Sequence, residues 1–360
     1  MRQIKVNLPQ NSYEIQIGQG LFEQVPEILI GLGFKSRLAI ITNPLVGSLY
    51  GDRLNANLVK AGFQTAILEV PDGEAYKSLE QAGHLYLQLS KIQAERTTPI
   101  LALGGGVIGD LAGFVAATFM RGAPLIHLPT TLLAQVDSSI GGKTAVNHAG
   151  LKNQIGVFYQ PRLVLADVDT LRTLPEIDVT NGLAEVIKYG VIQDKVFFTR
   201  IERSLAEIKL LSSGLVEEIV SRCCSIKAQI VSQDEKDLGL RNILNYGHTV
   251  GHAVETVSNF KWKHGQAVAV GMTAAAIISN RMGILSGSDM EAIISLIKNA
   301  GLPVKLKDLD PAKVLQAIQH DKKKIGGQSL FILPVSLGEV VINNKVSLAL
   351  VEQVLSEINE

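Results

Sequence analysis

The run Thr98-Pro-Ile-Leu-Ala-Leu-Gly-Gly-Gly-Val-Ile-Gly-Asp110 decides the fold. A β-rich apolar stretch, Pro99 to Leu103, runs into Gly104, Gly106 and Gly109, and an apolar helical pattern follows. This is G-x-G-x-x-G in its strand–turn–helix context. Missing side chains let the backbone approach a pyrophosphate, and a helix N-terminus supplies oriented N–H donors. Glycines so spaced also occur where a helix merely packs close to a strand, and this is not the first such unit of the chain.

Outward from that turn the first half alternates between two periods. β-rich runs lie at Tyr13–Ile17, Arg37–Thr42, Gln64–Val70, Leu125–Leu128 and Leu163–Val168, with helical spacing over Leu45–Ala61 and Lys77–Ile92. Such alternation predicts a parallel sheet with helices on its faces. Ile4–Leu8 and Tyr13–Ile17 flank a Pro-Gln-Asn-Ser turn and read as a hairpin added to it. Beyond Leu174-Pro175 the pattern becomes helical: Leu183–Ile192, Phe197–Leu210, Leu215–Ser232, Val250–Val257, Ala267–Arg281, Asp289–Ala300 and Pro311–His320. A small hairpin, Ser329–Leu333 with Glu339–Ile342, precedes a last helix near Leu348–Ile358. The expectation is an α/β domain over 1–177 and a mostly helical domain over 178–360.

With 360 residues, two cores are the default, and 46% hydrophobic content is enough to fill them. Basic and acidic residues balance at 34 each, so no global field steers the chain onto nucleic acid or an anionic membrane. The N-terminal stretch lacks the apolar run of a signal peptide, and a cytoplasmic location is the default expectation. Cys223 and Cys224 are adjacent and have no other cysteine as a partner; they read as small buried thiols.

His248 and His252 stand four apart and share a helical face, His264 follows soon after, and Glu185 lies in Leu183-Ala-Glu-Val-Ile-Lys188. Imidazoles with a carboxylate suit a zinc-like ion with one position open. Spacing alone names both His248 and His252 as ligands, although a histidine is more often a satisfied core residue, as His84, His127, His148 and His320 look to be. Lys143, Lys152, Lys188, Lys227 and Arg241 sit beside glycines, asparagines or acids, Arg121-Gly122 ends a helix, and Lys322-Lys-Lys324 follows Asp321. Singly these are solvated charges; recurring near each candidate motif, they suit a substrate with both carboxylate and phosphate. In Pro71-Asp-Gly-Glu-Ala-Tyr-Lys77, Glu74 suits a ribose hydroxyl and Lys77 a phosphate, or the segment is only a turn and helix cap. Thr130 and Thr131 close a further strand.

The strings PDGEAYKS (71–78), LGGGVIGDLAGF (103–114), PTTLLAQVDSSIGGKTAVN (129–147), LKNQIGVFYQP (151–161), GLAEVIKYG (182–190), LRNILNYGHTVGHAVE (240–255) and DKKKIGGQSLFILP (321–334) resemble the 3-dehydroquinate synthases, among the sugar phosphate cyclases. The resemblance implies a Rossmann-like N-terminal domain binding NAD, a helical C-terminal domain binding metal and substrate, and an active site in the cleft between them. It implies NAD contacts at Asp72, Gly73, Glu74, Ala75, Tyr76 and Lys77, at Gly106, Val107, Ile108, Gly109 and Asp110, at Thr130 and Thr131, and at Thr170, Leu171, Arg172 and Thr173. Lys143 and Lys152 match positions shared by cofactor and substrate. Glu185, His248 and His264 match the ligands of one zinc or cobalt ion, and His252 moves to the substrate side.

Lys188, Lys227, Arg241 and Asn245 match substrate positions, with Asp137 among them. Lys227 and Arg241 are expected on the carboxylate; Lys152, Asn153, Asn245, His252, Arg121 and the Lys322 or Lys323 region are expected on the phosphate. Arg121 matches an arginine reaching a neighbouring subunit's site, which implies a homodimer. Gln266 stands where the family commonly has Glu, a place expected to touch a metal ligand. The implied reaction is transient oxidation, phosphate elimination, reduction, ring opening and aldol closure of a seven-carbon 2-keto acid phosphate. A cyclase for a carboxylate-free substrate, a metal-dependent alcohol dehydrogenase of the glycerol dehydrogenase type, and an inactive NAD- or metal-binding regulator are the rivals.

Overall fold

Apolar runs with no polar alternation belong in a sheet covered on both faces, and three of those runs are wholly buried in the structure. This computed structural model describes residues 1–320, 324–325 and 328–360. Among them β1 (Arg2–Val6), β2 (Tyr13–Gly18), β3 (Arg37–Thr42), β4 (Gln64–Glu69), β5 (Ile100–Gly104), β6 (Leu125–Pro129) and β9 (Leu163–Asp167) form a seven-stranded sheet in the order β1-β2-β9-β6-β5-β3-β4. Only the β1–β2 pair is antiparallel; β5, β6 and β9 are buried at every residue. One core, with Ile41, Leu111 and Val115, lies on one side, and a second, with Ile40, Leu101 and Leu128, on the other.

The chain divides into two units, 1–174 with 213–236 and 175–212 with 237–360. The expected single crossing at 177/178 therefore misplaces one helix. Ser213–Gln233 packs on β1, on β2 and on the turn at 134–138 of the α/β unit. Cys224 Sγ reaches the Gln135 carbonyl at 3.2 Å and Ser232 Oγ accepts from the Asn7 N–H at 3.1 Å. Helical spacing announces an apolar face but not what will cover it, which is why the sequence pattern left this helix with its neighbours.

Other local differences have local causes. The opening hairpin pairs Arg2–Val6 with Tyr13–Ile17, two residues earlier than expected, because Ser12 Oγ caps the Leu8 N–H and closes the turn. The helix expected over Leu45–Ala61 begins at Pro44–Val46, widens by one residue per turn over Gly47–Gly51 and resumes at Asp52–Lys60. That expected over Phe197–Leu210 breaks at Ser204 into Lys195–Arg203 and Leu205–Lys209. A hairpin absent from the sequence reading, β7 (Lys143–His148) with β8 (Leu151–Phe158), lies against the helix after the glycine turn, α1 (Gly106–Thr118). A Cβ at Gly113 would lie 2.4 Å from Thr144 Cγ2, so α1 needs glycine there.

In the helical unit, α2 (Glu176–Gln193) and a helix pair carry the site; Ser213–Gln233 is α3, and the pair is α4 (His248–Val257) and α5 (His264–Arg281). At Gly271 of α5 a Cβ would stand 1.8 Å from the Gly247 carbonyl oxygen, and at Gly265 2.0 Å from that of Asn181. Glycine at these two points lets α5 approach both α4 and α2 more closely than any side chain permits. A hairpin, Phe331–Ser336 with Glu339–Asn343, and a last helix, Leu348–Glu357, pack on this unit. Among the described residues no helix is long and apolar enough to cross a membrane.

His127 on β6 is 5% exposed beneath α1, and burial pushes its imidazole down to about 4. The fold thus holds His127 neutral while the unfolded chain takes up a proton near 6.5. Stability contributed this way is complete above pH 6.5 and is lost as pH falls toward 4. Between pH 7.5 and pH 5 the wild type should lose about 2 kcal/mol more than His127→Gln. Urea unfolding at both values measures it; equal losses in the two proteins would refute the assignment.

Candidate active site

The helix approach just described brings three chemically apt side chains to one place. Glu185 of α2 is 0% exposed, and its Oε1 lies 3.7 Å from His248 Nε2 and 3.5 Å from His264 Nε2. One ligand atom from each of the three lies within 4.8 Å of the others. Both imidazoles are oriented from behind. His248 Nδ1 is 3.0 Å from the Tyr246 carbonyl, so it carries the proton and leaves the Nε2 lone pair facing Glu185. His264 Nδ1 faces the carboxylate of Glu255.

The electrostatics of the triad favour positive charge. Burial, then the charges of Lys188, His252 and His264, hold His248 well below its ordinary range. Burial alone would lower His264, but Glu185 and Glu255 outweigh it and push it up to about 10. Two carboxylates there favour positive charge. The Glu185 oxygens are ion-paired with Lys188 and accept no hydrogen bond of good geometry among the described residues. A buried carboxylate so placed, with two imidazole Nε2 atoms, fits a divalent ion that keeps an open position.

His252, the other half of the spaced pair, is outside this triad; its ring stands edge-on to His248 at 5.2 Å. With Asn242, Asn245, His248, Leu330 and Ile332 it lines a small pocket. Lys188 and Arg241 are buried in the same unit, at 0% and 1% exposure. Gln266 does not touch the triad as expected: its Oε1 accepts the Lys263 N–H at 3.0 Å and caps α5. The change from Glu therefore alters a helix cap. Lys322 and Lys323 lie outside the described residues.

In the α/β unit, Gly104–Asp110 is a strand-to-helix turn, and α1 begins with no side-chain cap on its first N–H groups. A Cβ at Gly105 would lie 3.1 Å from Thr131 Cγ2, and at Gly106 3.1 Å from Ser138 Oγ, so the backbone there stays bare beneath two hydroxyl side chains. Such a cradle fits a pyrophosphate. Val107 and Ile108 form its first helical turn, with Ile108 in the core, and Gly109 faces the His127 ring. Thr130 is buried beside the turn, its N–H donating to the Gly104 carbonyl.

Lys77, expected on a phosphate, is enclosed by side chains of its own unit. It is 4% exposed, and its ammonium lies 2.5 Å from both Asp110 Oδ2 and Asn153 Oδ1. Burial raises the Asp110 carboxyl, and Lys77 opposes that rise. Glu74 accepts from Asn147 Nδ2 at 2.9 Å, and Asn147 Oδ1 accepts the Asn153 N–H at 2.9 Å, which clasps the 71–78 turn to the β7–β8 hairpin. Ser78 caps the helix Leu79–Lys91, so the turn-and-cap reading of this segment also holds. Asp72 accepts from Asn43, Gly73 has φ 117°, and Ala75 and Tyr76 complete a single helical turn.

Lys143 is exposed and Lys152 half-buried on that hairpin. In the turn Val168–Thr173, Thr170 and Leu171 are buried, Thr173 bonds Tyr50 at 2.5 Å, and Arg172 points outward to Asp169. Lys227 of α3 pairs with Asp137 and donates to its carbonyl at 2.8 Å. Arg121 is exposed in a left-handed turn, φ 64° after 47° at Met120. Sequence reasoning missed Glu255, Asn147 and Ser138. Glu255 alone had a visible signal, since it follows His248 and His252 on one helical face.

Two family models match in tandem: 3-dehydroquinate synthase N-terminal over residues 67–181 and 3-dehydroquinate synthase C-terminal over 182–324. A 3-dehydroquinate synthase from Dehalococcoides mccartyi is 47% identical over 357 residues, 99% of each chain. Among solved structures, a 2-epi-5-epi-valiolone synthase from Streptomyces hygroscopicus with NAD+ and Zn2+ bound superposes with TM-score 0.91 at 25% identity, covering 98% of each chain. A 2-deoxy-scyllo-inosose synthase complexed with carbaglucose-6-phosphate, NAD+ and Co2+ does so at 0.90 and 30% identity, covering 99% of this chain and 100% of that one.

Proposed function

The chain belongs to the 3-dehydroquinate synthase family, and from that premise we propose that it converts 3-deoxy-D-arabino-heptulosonate 7-phosphate to 3-dehydroquinate and phosphate. The enzyme is a phosphate-eliminating lyase that uses NAD and one divalent metal, zinc or cobalt. When bound, NAD supplies a reversible hydride acceptor and the ion a Lewis acid, so no net oxidation results.

The chain's own residues bind, orient and neutralise. Glu185, His248 and His264 hold the ion. The bare turn at Gly106–Asp110, with Thr130 and Thr131, takes the pyrophosphate, while 71–77 and 170–173 border the rest of the dinucleotide. Lys77, held between Asp110 and Asn153, fixes the turn against the hairpin at the border of the dinucleotide. Lys227 and Arg241 hold the substrate carboxylate, with Asp137 orienting the Lys227 ammonium. Lys152, Asn153, Asn245, His252 and Lys322 serve the phosphate, and Lys143 borders both ligands. Lys188, buried against Glu185, places a positive charge where an oxygen becomes anionic. Arg121 serves the partner subunit of a homodimer, for which its exposed turn is suited. Residues 1–177 with α3 carry the dinucleotide, and the rest of 178–360 carries the metal and most substrate contacts.

The buried Glu185–His248–His264 triad, with Lys188 paired to Glu185 and Arg241 buried in the same unit, carries this reading. An alcohol dehydrogenase acting on a neutral polyol has no use for those cations. Incubation with the heptulosonate phosphate, catalytic NAD and zinc or cobalt should release one phosphate per dehydroquinate without accumulating NADH. No product from it, with turnover of a carboxylate-free sugar phosphate instead, would move the chain to a different cyclase.

A further inference from the structure

Glu255 is a buried acid that the reaction as derived does not use. It lies in the last turn of α4 with 2% of its surface exposed. Both facts count against a carboxylate: burial strips its water, and a negative charge near a helix C-terminus opposes the macrodipole. What offsets them is across the helix pair, where Glu255 Oε1 stands 3.5 Å from His264 Nδ1.

We infer that Glu255 is a positioning residue for the metal centre, holding the His264 ring so that its Nε2 faces Glu185. The inference rests on the metal assignment above. Nε2 of His264 is the atom turned toward Glu185, at 3.5 Å, and Nδ1 is turned away from it. A carboxylate behind Nδ1 keeps the proton on that nitrogen and makes Nε2 the more basic donor. His248 receives the same support from a backbone carbonyl, that of Tyr246. A carbonyl is neutral, whereas Glu255 adds a full negative charge to the far side of the site. The two histidines therefore differ in donor strength, His264 being the stronger, although their positions in the triad look equivalent.

The test is metal affinity, read by competition with a chromophoric chelator on full-length protein loaded with zinc or cobalt. Glu255→Ala should weaken binding roughly 10- to 100-fold. Glu255→Gln keeps an acceptor but loses the charge, and should fall near the lower end, ~10-fold. The cobalt absorption spectrum should shift in both. His264→Ala is the reference and should lose more than either. Should Glu255→Ala fail to fold by circular dichroism, the isosteric Gln variant carries the test. Affinity within twofold of wild type in Glu255→Gln, while His264→Ala loses it, would overturn the inference and leave the metal reading standing. Unchanged affinity in His264→Ala would remove both. A purely structural Glu255 would lower the melting temperature and leave affinity and spectrum alone.

Discussion

Stripping the divalent ion with a chelator is expected to abolish phosphate release, and added zinc or cobalt to restore it. Loss of the Lewis acid removes several kcal/mol of stabilisation of the developing oxyanion; about 4 kcal/mol corresponds to about 10³-fold in kcat/KM. Glu185→Gln should give a loss of the same order that added metal does not repair. That substitution also leaves the Lys188 ammonium, 0% exposed, without its carboxylate. Removing one partner of a buried ion pair costs about 3–5 kcal/mol, so the variant's melting temperature should fall and must be measured beside its activity. Chelation of the wild type isolates the metal from that stability loss. Full turnover by protein verified to be metal-free would refute the assignment of Glu185, His248 and His264.

Lys227→Met should lower kcat/KM for the heptulosonate phosphate by about 30- to 5000-fold, leaving the dissociation constant for NAD unchanged. Truncating one partner of a desolvated charge pair costs about 2–5 kcal/mol, and each 1.36 kcal/mol is tenfold. Methionine retains most of the stem of a lysine that is 6% exposed and removes its charge and its hydrogen bond to the Asp137 carbonyl. Asp137 then faces the site without the ammonium that now pairs with it, which adds repulsion toward an anionic substrate. Initial-rate kinetics and NAD titration by fluorescence check both halves. Normal turnover by Lys227→Met would show that the carboxylate is held elsewhere.

Much of the scaffold was legible because its signals are local. The unbroken apolar runs at Ile100–Gly104, Leu125–Pro129 and Leu163–Asp167 became central strands. The β7–β8 hairpin escaped because nearly all of Lys143–Phe158 is exposed or half-buried, and its two buried strand residues, Thr144 and Val146, answer to partners such as α1. Residue types also do not show which partner a side chain will meet. That Asp110 and Asn153 enclose Lys77, and that Gln266 caps its own helix, came from the structure.

By itself the sequence determined the glycine turn as a strand-to-helix cradle, the helical spacing of His248 and His252, and the family, since these depend on neighbours within a few residues or on the order of motifs. Only the tertiary structure decided that Glu185 meets His248 and His264 while His252 stands aside, that Glu255 backs His264, and that α3 returns to the α/β unit. The physical reason is that these contacts depend on how closely helices approach. The glycines at 265 and 271 permit that approach, but spacing along the chain does not say which backbone they will meet.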